Sequence, residues 1–252
     1  MQTAYLFRSG AIFALGATIA LALAGPSSRL AAEDKKAEEG WVPLFNGKDL
    51  TGWKIHPEPN KGAIKKVIAK EEGGKLVGYD AEDKAGKTVT LWAVKDGLLV
   101  GAGPHSHLFS EKDDYTDFHY RVEAKINDKG NSGQYFRTKF EGGFPPGYEA
   151  QINATHTDKI RTGSLYPDGR TKLGEFRKDI CVMDTAAHKA DEFFVQEVIA
   201  KGNHIQILVN GKKTVDFMDP NMTHTKGHFA LQGHDPGTVV TFKTIEYKPL
   251  TK

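Results

Sequence analysis

Glu149 and Gln151 stand two apart in Tyr148-Glu149-Ala150-Gln151-Ile152, and Arg137 lies in the earlier run Gln134 to Phe140. Both runs read as strands, in which successive side chains point to opposite faces. Glu149 and Gln151 then share one face, while Tyr148, Ala150 and Ile152 take the other. Tyr135, Arg137 and Lys139 share a face of the earlier run. Joined by a Gly/Pro loop and placed in one sheet with Arg137 turned toward Glu149, they bring a cation, a carboxylate and an amide together. Such a polar face suits a hydroxyl-rich ligand such as a sugar. Glu149 and Arg137 can equally form a cross-strand ion pair and nothing more.

Other chemistry-bearing residues gather around this stretch. Asn131-Ser132-Gly133 is turn chemistry by composition, or a ligand contact. Ala230, Gln232 and His234 share strand parity, so Gln232 and His234 face one way if the strand continues through Gly233. His105 and His107 also share parity and could suit a metal, but two histidines without further placed ligands do not define a site. The expectation is that no metal or cofactor is needed. Trp53 and Trp92 read as core residues. Cys181, the single cysteine, reads as a core thiol in a buried strand, and no histidine–aspartate arrangement points to it.

The elements that must position these residues are short strands. Thr88–Val94 and Leu98–Val100 are separated by Asp96-Gly97, and His204–Val209 and Lys213–Phe217 by Asn210-Gly211, both hairpin turns. Phe118 to Ile126 alternates strictly and predicts a strand with one wet face. Residues 57–87, rich in Lys, Glu and Gly, read as a surface loop or a lysine-rich hairpin. Asn153 to Lys178 is a long polar connection, and Ala186 to Glu192 could make a turn or two of helix. Many short strands and no helix of ordinary length predict an all-β, two-sheet sandwich or jelly roll.

The 252 residues carry a formal net charge of +2, without the basic excess of a nucleic-acid binder. Arg8 precedes an apolar run from Ala11 to Ala24, the length of a signal-peptide core and short for a membrane span. Cleavage after Ala24 or Ala32 is expected, with residues 33–40 a flexible lead-in and 41–250 one domain. The expectation is an exported protein, periplasmic or secreted, with no stable membrane anchor after cleavage.

The run Trp41-Val42-Pro43-Leu44-Phe45-Asn46-Gly47-Lys48-Asp49-Leu50-Thr51-Gly52-Trp53 resembles the opening signature of the 3-keto-disaccharide hydrolase family. Asp96-Gly97-Leu98-Leu99-Val100, Asn131-Ser132-Gly133, Tyr148-Glu149-Ala150-Gln151-Ile152, Thr162-Gly163-Ser164-Leu165-Tyr166, Asn210-Gly211 and Leu231-Gln232-Gly233-His234 follow in the family's order. The resemblance implies a concanavalin A-like jelly roll, export, and work on oxidised sugars. The lysine-rich insertion before Trp92 and Pro104-His105-Ser106-His107 depart from the pattern.

An ordinary glycosidase needs two carboxylates across the scissile bond. The Glu149 strand supplies one, and nothing in the sequence positions Asp158, Asp168 or Glu123 as the second. A 3-keto sugar lowers that requirement, because its ketone acidifies the C2 proton. One base removes that proton, the C1 oxygen leaves, and water adds to the product. On this reading Glu149 is the base, Arg137 the enolate partner and His234 or His105 the acid, while Asn131, Gln151, Gln232 and Tyr166 contact the sugar. A non-catalytic, lectin-like module is the alternative.

Overall fold

A computed structural model describes residues 39–250. The expected signal peptide, and the expected lead-in up to residue 38, lie outside the described residues. Fifteen strands run through the described chain: β1 Val42–Pro43, β2 Trp53–Ile55, β3 Ile64–Glu72, β4 Lys75–Asp83, β5 Thr88–Lys95, β6 Leu98–Gly101, β7 Ser106–Ser110, β8 Phe118–Ile126, β9 Ser132–Thr138, β10 Tyr148–Ile152, β11 Phe194–Lys201, β12 His204–Val209, β13 Lys212–Met218, β14 His228–Gly233 and β15 Val240–Pro249. They form two antiparallel sheets. The larger has the order β13-β12-β11-β8-β15-β6-β5-β4-β3, with β1 also paired to β15; the smaller has the order β10-β9-β14-β7-β2.

The period-2 pattern of β8 explains the layering. Phe118, Tyr120, Val122, Ala124 and Ile126 are buried, while the residues between them are only half-buried. Across the core, Tyr120 stacks on Phe229 of β14 with centroids 4.1 Å apart, and Phe118 meets Phe229 at 4.7 Å and Phe136 of β9 at 6.0 Å. A buried polar tie joins the layers as well: Gln134 Nε2 donates to the Tyr120 carbonyl, and Gln196 Nε2 donates to Gln134 Oε1. The inner face of the smaller sheet is committed to this core. Its outer face carries a separate small apolar group, Phe109, Tyr135 and Ala230, flanked by Phe140.

The two expected hairpin turns form, with φ of 50° and 79° at Asp96-Gly97 and 50° and 76° at Asn210-Gly211, the left-handed pair that a two-residue turn requires. Residues 57–87 resolve to the hairpin reading, with β3 and β4 extending the edge of the larger sheet. Trp53 and Trp92 are core residues. Cys181 does not sit in a strand. It follows a 3-10 turn (Lys172–Phe176) and one turn of helix, α1 (Arg177–Ile180), and is half-buried. Thr171 starts this excursion by accepting the Leu173 N–H, so a local cap overrides the apolar pattern around the cysteine. Residues 186–192 form bends and a turn without helix. Among the described residues no helix is long and apolar enough to cross a membrane.

Candidate functional site

The outer face of the smaller sheet holds a cavity of about 290 Å³. Register decides what lines it. Glu149 of β10 lies opposite Tyr135 of β9, Gln151 opposite Gly133, Ala230 of β14 opposite Tyr135, and Gln232 opposite His107 of β7. Glu149, Gln151, Tyr135 and Gln232 thus meet on one surface, and all four line the cavity.

Glu149 is 9% exposed. Tyr135 Oη donates to its Oε2 at 2.7 Å, and Gln232 Nε2 donates to that same hydroxyl at 3.2 Å. Burial pushes the Glu149 carboxyl up to about 8; the Tyr135 hydrogen bond opposes this, and the nearby Asp158 and Asp168 add to it. A carboxyl shifted this far stands near the range in which a general base works at neutral pH. The side-chain carbonyls of Gln151 and Gln232 are buried without a protein partner, acceptors that a sugar hydroxyl would satisfy.

Asn131-Ser132-Gly133 does more than turn the chain. Asn131 Oδ1 accepts from Gln151 Nε2 at 3.1 Å, and Ser132 Oγ donates to the Gln232 carbonyl at 2.7 Å. Gly133 leaves the space in which the Glu149 side chain lies: a Cβ there would stand 2.3 Å from Glu149 Oε1. Gly133→Ala is therefore expected to displace the carboxylate while leaving the sandwich folded. It should lower any turnover that depends on this carboxylate about 100-fold, the scale of a misplacement of roughly 1 Å. Steady-state kinetics beside a thermal melt checks this.

Arg137 does not face Glu149. Its φ is 50°, and β9 carries one residue more than β14 between the pairs Tyr135–Ala230 and Thr138–His228. This bulge breaks the alternation at that residue. The guanidinium is buried elsewhere: Nε and Nη2 donate to the Thr116 carbonyl at 2.9 and 2.6 Å, and Nη1 to the carbonyls of Gly202 and His224 at 2.7 and 3.2 Å. Among the described residues its carboxylate contact is Asp117, at 3.4 Å. Parity placed Arg137 in the site, and the bulge removes it.

A different guanidinium comes in from the connection after β10. The Tyr166 amide donates to the Glu149 carbonyl and the Gly163 amide to the Gln151 carbonyl, so this connection runs along the edge of β10. It brings Asp158, Tyr166, Asp168 and Arg170 to the cavity wall. Tyr166 Oη reaches Asp158 Oδ2 at 3.3 Å. Arg170 grips Asp168 through Nε at 2.9 Å and Nη2 at 2.8 Å, and its Nη1 donates to the Phe144 carbonyl at 2.8 Å. Burial works to raise Asp168, but the hydrogen bonds from Arg170 outweigh it and leave this carboxyl lowered. Glu123 is remote from this wall, accepting from Lys243 at 2.8 Å on the larger sheet. Sequence reasoning gave no role to Tyr135, Arg170 or Phe144. Only Tyr135 had a signal, its parity; the others sit in loops without a period.

The histidines divide. His234 lines the cavity, its Nδ1 3.0 Å from Asp235 Oδ2. His105 lies behind Phe144, with ring centroids 4.2 Å apart, and 6.3 Å from His234. Burial, with His234 adding, holds His105 down at about 4, so it is neutral at pH 7 and not an imidazolium acid. His105 is thus displaced from the acid role. His107 is buried, neither ring nitrogen has a protein partner, and its ring meets Tyr135 edge-on at 4.7 Å.

His156, His234 and Asp235 each bring one ligand-type atom within 4.8 Å of the others. However, His156 Nδ1 accepts the Asp158 amide at 3.1 Å. That leaves the ring proton on Nε2, which faces Asp235 Oδ2 at 3.9 Å. His156 thus turns its Nε2–H toward Asp235 beyond hydrogen-bonding distance, and the hydrogen-bonded pair of the group is His234–Asp235.

Residues 40–248 match the model of the 3-keto-alpha-glucoside-1,2-lyase-like domain family. Two candidate glycosyl hydrolases from Parabacteroides distasonis have similar structures. One superposes with a TM-score of 0.56 at 21% identity, covering 84% of this chain and 95% of the other. The second gives 0.52 at 19% identity, covering 83% and 99%. At these identities the likeness establishes the concanavalin A-like jelly roll and nothing further. An uncharacterised protein from Methanocaldococcus jannaschii is 26% identical over 165 residues, 65% of each chain. The chain therefore matches a little under two thirds of that relative's length.

Proposed function

The chain belongs to the 3-keto-alpha-glucoside-1,2-lyase-like domain family, and from that premise we propose that it cleaves 3-keto glycosides by elimination, with hydration of the product giving net hydrolysis. The family makes it a carbohydrate-active, glycosidase-like domain. The observation that carries the finer reading is Glu149, a buried carboxyl at the cavity floor, pushed up to about 8 and held by Tyr135.

In the proposed reaction the ionised Glu149 takes the proton from C2. The C–H electrons move to the C2–C3 bond and the ketone oxygen becomes an enolate. Collapse of the enolate expels the C1 oxygen with its bonding pair, and that oxygen takes a proton from His234, whose ring Asp235 orients. Arg170, the cation beside Glu149, supplies the positive field that Arg137 was expected to give. Gln151, Gln232, Asn131 and Tyr166 hold hydroxyls. Water added across the resulting double bond completes net hydrolysis.

The pH profile tests the base. Because Glu149 must be ionised, kcat/KM for a 3-keto glycoside with a nitrophenyl leaving group, which departs without a proton from His234, is expected to rise about tenfold per pH unit below about 8 and to level above it. A profile that falls through the same region overturns the assignment, because Glu149 would then act protonated.

One observation favours a second reading. Asp158 and Asp168 share the cavity with Glu149, and Asp168 is lowered while Glu149 is raised. A raised and a lowered carboxyl together are the pattern of direct two-carboxylate hydrolysis. Incubation in heavy water separates the routes: elimination exchanges or breaks the C2–H bond, whereas direct hydrolysis leaves it intact and cleaves the unoxidised disaccharide too. Binding of the sugar without turnover would instead mark a lectin-like module. Export is part of the proposal, supported by the apolar run Ala11 to Ala24, and cell fractionation tests it.

A further inference from the structure

We propose that Phe144 is the platform for the leaving group, a specificity-determining residue that stacks on the ring beyond the C1 oxygen. This rests on the cleavage reading above. Phe144 is 51% exposed yet lines the same cavity as Glu149. A single exposed aromatic needs no explanation by itself; its surroundings are what carry the inference.

The loop bearing it is clamped. The Gly143 amide donates to the Pro59 carbonyl at 3.0 Å, and Arg170 Nη1 to the Phe144 carbonyl at 2.8 Å. At the far end, Thr138 Oγ1 donates to the Pro146 carbonyl at 2.8 Å. A Cβ on Gly142 would meet the Glu58 carbonyl at 2.1 Å, and one on Gly147 would meet Thr138 Cβ at 2.4 Å, so the loop lies flat against its supports. His105 backs the ring at 4.2 Å, and much of the rest of the ring is open. An aromatic ring fixed at a rim in this way costs little further ordering when it binds.

Size then assigns the occupant. A cavity of about 290 Å³ lies at the lower end for small-molecule sites, enough for one sugar ring over Glu149. C2 must lie at the carboxylate on the floor, and C1 is one bond away. The group leaving from C1 therefore extends toward the mouth, where Phe144 stands 6.0 Å from His234. The C–H face of a pyranose is apolar and slightly positive, the complement of a π face.

The test compares two substrates with the same 3-keto glucosyl unit, one bearing a glucose leaving group and one a methyl group. Phe144→Ala is expected to lower kcat/KM about tenfold for the disaccharide and less than about twofold for the methyl glycoside, with Phe144→Trp near wild type. Equal losses on both substrates, or none, overturn the platform. If the wild type cleaves neither substrate, the cleavage reading fails by itself. Calorimetric titration of the disaccharide then decides the platform: weaker binding to Phe144→Ala keeps it, and unchanged binding removes it.

Discussion

Glu149→Gln is expected to lower turnover of a 3-keto disaccharide by about 10²- to 10⁴-fold, the range that a positioned general base supplies. Exchange of the C2 hydrogen in heavy water should fall with it, because both need the same proton transfer. The variant keeps the shape of the side chain, so Gly133 still accommodates it. Its stability should have a distinctive pH dependence. The folded-state value of Glu149, about 8, lies above the ordinary 4.5. The folded protein thus holds this proton more tightly than the unfolded chain does. The stability linked to it is fully present below pH 4.5 and is lost as pH rises through about 8. Glutamine cannot ionise, so the variant should melt above the wild type at pH 9 and together with it at pH 4. A variant with full activity would end the base assignment. Equal melting temperatures at pH 9 would mean that the carboxyl is not in the buried setting described.

Arg137→Met carries the second large effect, on folding rather than chemistry. Arg137 is 2% exposed, and its guanidinium satisfies the carbonyls of Thr116, Gly202 and His224. Removing it leaves these partly buried carbonyls without that donor, while Asp117 keeps the Gly202 N–H at 2.9 Å. The expected cost is about 1–3 kcal/mol, which for a domain of this size lowers Tm by about 5 °C. Activity per folded molecule should stay within about threefold of wild type, because Arg137 does not line the cavity. Thermal melts and active-site-normalised kinetics read the two effects separately. A loss of about 100-fold in kcat with Tm unchanged would return Arg137 to the reaction.

These two residues mark how far the sequence could be read. The face shared by Glu149 and Gln151 was legible because β10 is regular: Tyr148, Ala150 and Ile152 fill the core side and force the other two outward. Gln232 was legible for the same reason on β14, where Leu231 and Phe229 turn inward. Arg137 obeyed the same arithmetic and was misplaced, because one bulged residue shifts parity by one. Nothing in Gln134-Tyr135-Phe136-Arg137-Thr138 announces that bulge. It sits where β9 meets Gly227, whose Cβ would stand 2.5 Å from the Arg137 backbone carbonyl carbon. That close approach is a property of the packed chain.

The sequence by itself determined a two-sheet antiparallel sandwich whose smaller sheet turns a carboxylate and two amides outward. Alternation and Asp-Gly or Asn-Gly turns are local rules, and the chain obeys them nearly everywhere. The tertiary structure alone decided which cation stands beside that carboxylate and what walls the cavity. Asp158, Asp168, Arg170 and Phe144 lie in loops with no period. Their places are fixed by backbone hydrogen bonds to the edge of β10 and by Arg170 bridging two of those loops. Such contacts join residues far apart in the chain, and no pattern within a single segment encodes them.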